Sequence, residues 1–327
     1  MSKIYEALRQ AEQDRANGTT TQVEPGTRVS SNGPGVLDGR RVRVTIAEAT
    51  SLGAPVMAPV ESRPADTRVA DNVSDVFAAD LAGVHEYTWS PSLHQLPALE
   101  ERGAPVEQFR SLRSRMHEFR DLNRLKSILV SSGLPQEGKS FVAANLAISF
   151  ARHKAARVLL IDGDMRRASL HKLLGTRIGP GLTEYLAGQA TLDEIMQRPK
   201  PSELGHPLPH GLLSLTFIPG GNEHDKAADL SGNHRFDRLI EDVTPHFDWI
   251  VVDSSPVNLV SDGVNLARAC DGVLMVAREG ITKYEAAQRA LAELKAAKIL
   301  GFVLNAVHNP TVAGGYYGYD GYDKVTP

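Results

Sequence analysis

Eight residues, GLPQEGKS (133–140), constrain this chain more than any other stretch. They fit the pattern G-x-x-x-x-G-K-[ST], preceded by the apolar run KSILVSS and followed by KSFVAANLAISFARH, whose apolar residues recur at helical spacing. A strand that turns sharply into a helix points the first free backbone N–H groups of that helix at one spot. There they bind phosphate oxygens. The loop Gly133, Gln136, Glu137, Gly138, Lys139, Ser140 and Phe141 is therefore expected to hold ATP. Lys139 would reach the β- and γ-phosphates, and the Ser140 hydroxyl would ligate Mg²⁺.

Further apolar runs, RVLLIDGD, LLSLTFIPGG, DWIVVDSS, GVLMVA and ILGFVLNAV, alternate with helical patterns such as HRFDRLIEDVTP and ITKYEAAQRALAELKAAK. Near-continuous Val/Ile/Leu strands separated by helices predict a doubly wound α/β domain, a mostly parallel sheet flanked by helices. No internal repeat interrupts it. Such sheets bind ligands at the carboxyl ends of their strands. Asp162 and Asp164 close one run and Asp253 another, so all three carboxylates should meet the phosphate loop on one rim. An aspartate ending a strand is often only a helix cap; three beside a Lys-Ser loop read as a Mg²⁺–nucleotide site. Asp253 would hold Mg²⁺ through water, Asp162 would take a proton from an attacking hydroxyl besides lying near the metal, and Asn305 would read the adenine edge. Asn is also a common strand terminator.

The rest of the chain is organised around this domain. Residues 2–16 have Ser2 as an N-cap and Ile4, Leu8 and Ala11 at helical spacing, giving an N-terminal amphipathic helix over 1–16 with balanced charges, suited to docking on a protein. Residues 17–103 are rich in Gly, Pro, Thr, Ala and Val and read as a mostly disordered linker, in which HEYTWSPSLHQLPAL (85–99) is a candidate docking piece. VEQFRSLRSRMHEFRDL puts Val106, Phe109, Leu112 and Met116 on one helix face and opens a domain expected over 104–310. PKPSELGHPLPHG (199–211) reads as an irregular loop. The tail, 311–327, crowds Tyr316, Tyr317, Tyr319 and Tyr322 among Gly and Asp, with no aliphatic neighbours to pack against, so its phenols should be flexibly displayed.

Composition excludes several classes. A net charge of -3 argues against a general nucleic-acid binder, and the single Cys270 leaves no disulfide and no thiolate set for zinc or iron–sulfur. No run approaches the ~20 apolar residues of a membrane span, and the N-terminus has no apolar signal core. The expected location is cytoplasmic.

Together these features resemble the bacterial tyrosine kinases of capsule and exopolysaccharide synthesis over roughly 104–322. The phosphate loop matches, as do a second acidic motif, LLIDGDMR ending in Arg166, a third, IVVDSS followed by Pro256, and the tyrosine-rich tail. The helix carries E-x-x-R-x-x-R as Glu107, Arg110 and Arg113. The resemblance implies an ATP- and Mg²⁺-dependent tyrosine autokinase with Lys139, Asp162, Asp164 and Asp253 catalytic. It also implies Arg166 at the nucleotide and a ring joined through Glu107, Arg110 and Arg113. The tail tyrosines would be phosphorylated by a neighbouring subunit. It further implies a separate membrane polysaccharide co-polymerase as activator, which would recruit the chain to the inner face of the membrane, and protein substrates in polysaccharide synthesis.

Gln136 stands where the family usually has Gly, so that position is not expected to need positive φ. Phe141 replaces a usual Ser or Thr and removes a hydrogen bond to the α-phosphate. The three motif residues of the helix could instead form an ordinary solvated stripe. The rival from another class is a non-catalytic, ATP-switched scaffold. Chromosome-partitioning and septum-site ATPases share the core, but Leu134 stands where they carry an extra signature lysine.

Overall fold

The computed structural model describes residues 83–153, 156–200, 209, 211–222 and 224–307. The expected N-terminal helix, most of the linker and the tyrosine tail lie outside them, as does nearly all of the expected loop between 199 and 211.

Eight strands form one sheet: β1 (His85–Tyr87), β2 (Ser127–Ser132), β3 (Val158–Asp162), β4 (Gln197–Pro199), β5 (Leu215–Ile218), β6 (Trp249–Asp253), β7 (Gly272–Arg278) and β8 (Ile299–Asn305). Their order is β1-β4-β5-β3-β6-β2-β7-β8. From β5 to β8 every pairing is parallel, and β4 meets β5 antiparallel at one edge. The mostly parallel, doubly wound sheet expected from the apolar runs is therefore present; β1 and β4 are additions that their short, mixed sequences did not announce.

Helices cover both faces, and the two-residue period of the strands sorts the core between them. On one face Ile128, Val130, Val158, Leu160, Trp249 and Val251 pack beneath α1 (Ala104–Asn123) and α2 (Lys139–Ala151), with α3 (Leu170–Leu174) beside them. On the other, Leu129, Leu159, Ile161, Ile250 and Val252 pack against α7 (Arg235–Val243), α8 (Asp262–Ala267) and α9 (Tyr284–Glu293). Short helices α4 (Leu182–Leu186), α5 (Leu192–Ile195) and α6 (Ala227–Ser231) complete that side. In α1 the expected stripe Val106, Phe109, Leu112 and Met116 is the buried face.

Residues 84–99, expected inside the linker, instead pack on the domain and bury Val84, Trp89, Leu96, Ala98 and Leu99. Trp89 is buried against Phe217, their rings edge to face at 6.3 Å, and Leu96 and Leu99 are buried with it. Asn145, buried in the middle of α2, locks the segment in place. Its side-chain oxygen accepts the Ala98 N–H at 3.0 Å and its amide donates to the Gln95 carbonyl at 3.2 Å. A polar group so buried must be satisfied, and here the partner is the segment itself. Trp89→Ala should cost about 3–5 kcal/mol by denaturant unfolding. A loss under about 1 kcal/mol, the usual cost of a surface change, would show that the segment merely lies on the surface.

Candidate active site

Strand pairing assembles the acidic centre. Asp162 and Asp253 are register partners across β3 and β6, so their side chains leave the sheet on the same face, the one that α2 covers. The strands are held close behind them. The Gly163 N–H donates to the Asp253 carbonyl at 2.9 Å, and a β-carbon on Gly163 would meet that oxygen at 2.5 Å.

Into this centre the phosphate loop delivers Lys139, the first residue of α2. Its ammonium lies 2.7 Å from Asp164, and both side chains are largely buried. Burial pulls the Lys139 pKa down, but Asp253, Asp164 and Asp162 together hold it above the ordinary value. Asp164 also accepts the Ser255 hydroxyl at 3.1 Å and the Arg167 N–H at 3.3 Å. The two serines after Asp253 thus have work: Ser255 fixes Asp164, and Ser254 donates to the Val130 carbonyl.

Asp162 is divided between two environments. One oxygen accepts the Ser169 and Leu170 N–H groups at 2.9 and 3.0 Å, capping α3. The other is buried without a partner. Burial, reinforced by Asp253, pushes its carboxyl well above the usual range, against those two N–H groups. Asp253 is buried with neither oxygen in a well-formed hydrogen bond, and burial pushes it up to about 6 despite Lys139 and the weaker contacts of the Ser140 hydroxyl and the Ser254 N–H. Among the described residues no three His, Cys, Asp or Glu side chains could by themselves hold a metal ion. Mg²⁺ in nucleotide sites takes one or two carboxylates and completes its shell with phosphate oxygens and water. An unpartnered Asp253 carboxylate next to Ser140 fits that donor set.

The loop itself departs from expectation. Gln136 has φ 62, in the left-handed region, although its side chain suggested otherwise. The turn needs that backbone whichever residue occupies it, at a cost of about 1–2 kcal/mol for a residue with a β-carbon. Neighbouring elements hold it there. Arg278 donates to the Gln136 carbonyl at 3.2 Å, and the buried Glu137 carboxylate accepts the Leu134 N–H at 2.8 Å and the Thr282 hydroxyl. Burial raises the Glu137 pKa against those donors. Gln136→Gly should therefore stabilise the fold by about 1 kcal/mol and raise the melting temperature by roughly 2–4 °C. An unchanged or lowered value would mean that the loop relaxes its strain in solution.

Three other expected site residues have contacts of their own within the fold. The Asn305 amide donates to the Glu137 carbonyl at 2.9 Å and its oxygen accepts the Ala306 N–H, so it braces the loop from behind, where its reading as an adenine contact had placed it beside a base. A β-carbon on Gly138 (φ 96) would sit 1.9 Å from that amide. Arg166 forms a two-pronged pair with the buried Asp262 at the start of α8, 2.6 Å at the shorter contact, and also feels the charge of Asp164. Phe141 packs its ring 5.9 Å from Phe109, tying the loop to α1. In α1 itself Glu107 pairs with Arg110, while Arg113 turns inward to the Ser149 carbonyl at 2.9 Å.

Residues 128–314 match the model of the CobQ/CobB/MinD/ParA nucleotide binding domain. Tyrosine-protein kinase CpsD of Streptococcus agalactiae is 31% identical over 217 residues, covering 65% of this chain and 88% of CpsD. The tyrosine-protein kinase wzc of Salmonella typhimurium is 32% identical over 222 residues; these cover 67% of this chain but only 29% of that protein. Among solved structures, the kinase domain of Escherichia coli tyrosine kinase ETK superposes with a TM-score of 0.61 at 28% identity, covering 72% of this chain and 87% of that domain.

Proposed function

The chain belongs to the bacterial tyrosine-protein kinases built on the CobQ/CobB/MinD/ParA nucleotide-binding domain, and from that premise we propose that it is an ATP-dependent autokinase acting on its own tail. The observation that carries the reading is the pair Asp162 and Asp253. They are in register, buried, and partly or wholly without hydrogen-bond donors, with Lys139 beside them.

In this reading the loop N–H groups and Lys139 hold the ATP phosphates. Asp253 and Ser140, with Asp162 beside them, hold Mg²⁺, which supplies neutralising charge on the phosphate oxygens. The acceptor is a tyrosine hydroxyl, whose ordinary pKa is near 10. Its oxygen forms a bond to the γ-phosphorus as the bond from that phosphorus to the bridging oxygen breaks and ADP leaves. The phenolic proton passes to the free oxygen of Asp162, whose raised pKa suits a group that must accept it. Asp164 keeps Lys139 oriented. The acceptors are Tyr316, Tyr317, Tyr319 and Tyr322, presented by a neighbouring copy in a ring that uses Glu107, Arg110 and Arg113.

The wider setting is synthesis and export of capsule or exopolysaccharide, at the inner face of the membrane. The activator would be a separate membrane co-polymerase, and other proteins of that synthesis would be further substrates. Among the described residues no helix is long and apolar enough to cross a membrane.

The second reading is an ATP-switched scaffold without phosphotransfer, to which the departures at Gln136 and Phe141 would be relevant only through nucleotide affinity. Gln136 takes up the left-handed loop geometry and Phe141 packs its ring against Phe109, which supports the kinase reading over this one. The test is phosphopeptide mapping after incubation with Mg-ATP and the cytoplasmic segment of the membrane partner. Phosphotyrosine confined to 316–322 supports the kinase. Saturating ATP binding with an unmodified tail supports the scaffold.

A further inference from the structure

The chain leaving β3 is tied to the acidic centre by its own backbone. The Gly163 N–H donates to the Asp253 carbonyl, the Arg167 N–H to Asp164 at 3.3 Å, and the Ser169 and Leu170 N–H groups to Asp162. Residues 163–170 thus wrap the carboxylates that the reaction uses. Met165 and Ala168 are buried, and between them Arg166 and Arg167 are exposed. The crest of the loop is therefore a pair of arginines bordering the catalytic centre.

The two differ in what they touch. Arg166 is committed to the buried Asp262, which also accepts the Ser231 hydroxyl at 3.3 Å. Lys139 is committed in the same way to Asp164. The Arg167 side chain has no hydrogen bond or ion pair among the described residues, so its five N–H donors are open to an incoming group.

An acceptor coming to this site meets concentrated negative charge. Asp162, Asp164 and Asp253 surround Lys139, and bound ATP would add its phosphates. An acidic acceptor is repelled unless a cation meets it at the rim. The tail is such a segment, carrying Asp320 and Asp323 against Lys324 over 311–327. Its acids are regularly placed. Asp320 directly follows Tyr319 and Asp323 directly follows Tyr322, whereas Tyr316 is followed by Tyr317 and Tyr317 by Gly318. An extended chain advances about 3.5 Å per residue. With Tyr319 or Tyr322 at Asp162, the next carboxylate therefore lies beside the loop that carries Arg167.

We infer that Arg167 selects the acceptor by pairing with an acidic residue directly after the tyrosine. Tyr319 and Tyr322 are then phosphorylated ahead of Tyr316 and Tyr317. The inference rests on the autokinase reading and adds a preferred sequence to it, tyrosine followed by Asp, which extends to any other protein substrate.

The test mixes two full-length chains with Mg-ATP and the activating segment. The donor has its four tail tyrosines changed to Phe; the acceptor is Lys139→Met with its tail intact. Initial rates at each tyrosine are read by mass spectrometry. Tyr319 and Tyr322 should be modified about fivefold faster than Tyr316 and Tyr317, the upper range for a solvated ion pair. Asp320→Asn with Asp323→Asn in the acceptor should erase the difference while leaving the donor untouched. Arg167→Gln in the donor should erase it too, keep the rates at Tyr316 and Tyr317 and the binding of Mg-ATP, and add nothing to the tail changes. Arg167→Glu should slow Tyr319 and Tyr322 further, and Asp320→Lys with Asp323→Lys should restore them. Lys298→Gln removes one charge from an exposed position before β8, on the opposite rim of the sheet, and should change nothing.

Equal rates at the four tyrosines would overturn the inference. So would a preference that survives Arg167→Gln, or one that Lys298→Gln weakens as much. If Arg167→Gln slowed all four sites alike, the guanidinium would act on the nucleotide, and the inference would again be wrong. Each of these outcomes leaves the autokinase standing, because phosphotyrosine is still made. No phosphotyrosine at any site would bring down both.

Discussion

Lys139→Met is expected to abolish phosphotransfer and to weaken the ligand-free protein far more at pH 7.5 than at pH 5. Lys139 lies 2.7 Å from Asp164 and is the cation that offsets Asp253 and Asp162 as well. Removing one partner of a buried ion pair costs about 3–5 kcal/mol, because the other charge stays buried. Losing a preorganised charge on the transferred phosphate should cost at least about 10²–10³ in rate. The stability loss depends on pH because without Lys139 the carboxylates bind protons more readily, and at pH 5 they escape the penalty by doing so. Melting temperatures across pH, with single-turnover phosphotransfer beside them, check both parts. A melting temperature equal to wild type at pH 7.5 would mean that the acidic centre is more hydrated than its burial indicates.

Asp253→Asn should do the reverse to stability while also destroying activity. Asp253 is pushed from 3.8 up to about 6 in the folded chain. A folded-state pKa above the unfolded one contributes stability that is complete below about pH 4 and is lost as pH rises through about 6. At pH 7.5 the ionised group therefore burdens the ligand-free fold by on the order of 2–3 kcal/mol, at 1.36 kcal/mol per pKa unit. Asparagine removes that burden, and Lys139 keeps its direct partner Asp164. The variant should melt several degrees higher than wild type at pH 7.5 and at nearly the same temperature near pH 4. Phosphotransfer should fall at least about 10²-fold with the loss of a metal carboxylate. Equal melting temperatures at pH 7.5 would contradict the raised pKa.

Much of this was legible because strand and loop chemistry leave local marks. Runs such as VLLID and WIVVD have no reason to be apolar at every position unless helices cover both faces, and their terminal aspartates then share a rim. Contacts between distant parts of the chain were harder to read. Thr282 supports Glu137 across 145 residues, and nothing in either local sequence points to the other. The directions of Asn305 and Arg166 were likewise hidden, since a motif names a position and leaves its side-chain torsions open. Gln136 misled for a different reason. Residue preference is a weak guide where neighbouring elements determine the backbone.

The 84–99 segment shows a similar limit. Trp89, Leu96 and Leu99 lie scattered among prolines with no period to reveal them. One clue was Asn145, a polar residue among apolar neighbours in the middle of a buried helix. A side chain there has to bond something, and here it bonds the incoming chain.

The measurement closest to the central claim mixes two chains, neither of which can phosphorylate its own tail. One chain is Lys139→Met with its tail intact; the other has wild-type Lys139 and all four tail tyrosines changed to Phe. Both are incubated with Mg-ATP and the activating segment, alone and together, and phosphotyrosine is assigned to each chain by mass. The account predicts no phosphotyrosine in either chain alone, and in the mixture phosphotyrosine at 316–322 of the Lys139→Met chain. A mixture in which that tail stays unmodified, while wild-type chains treated in the same way acquire phosphotyrosine, would contradict transfer between subunits.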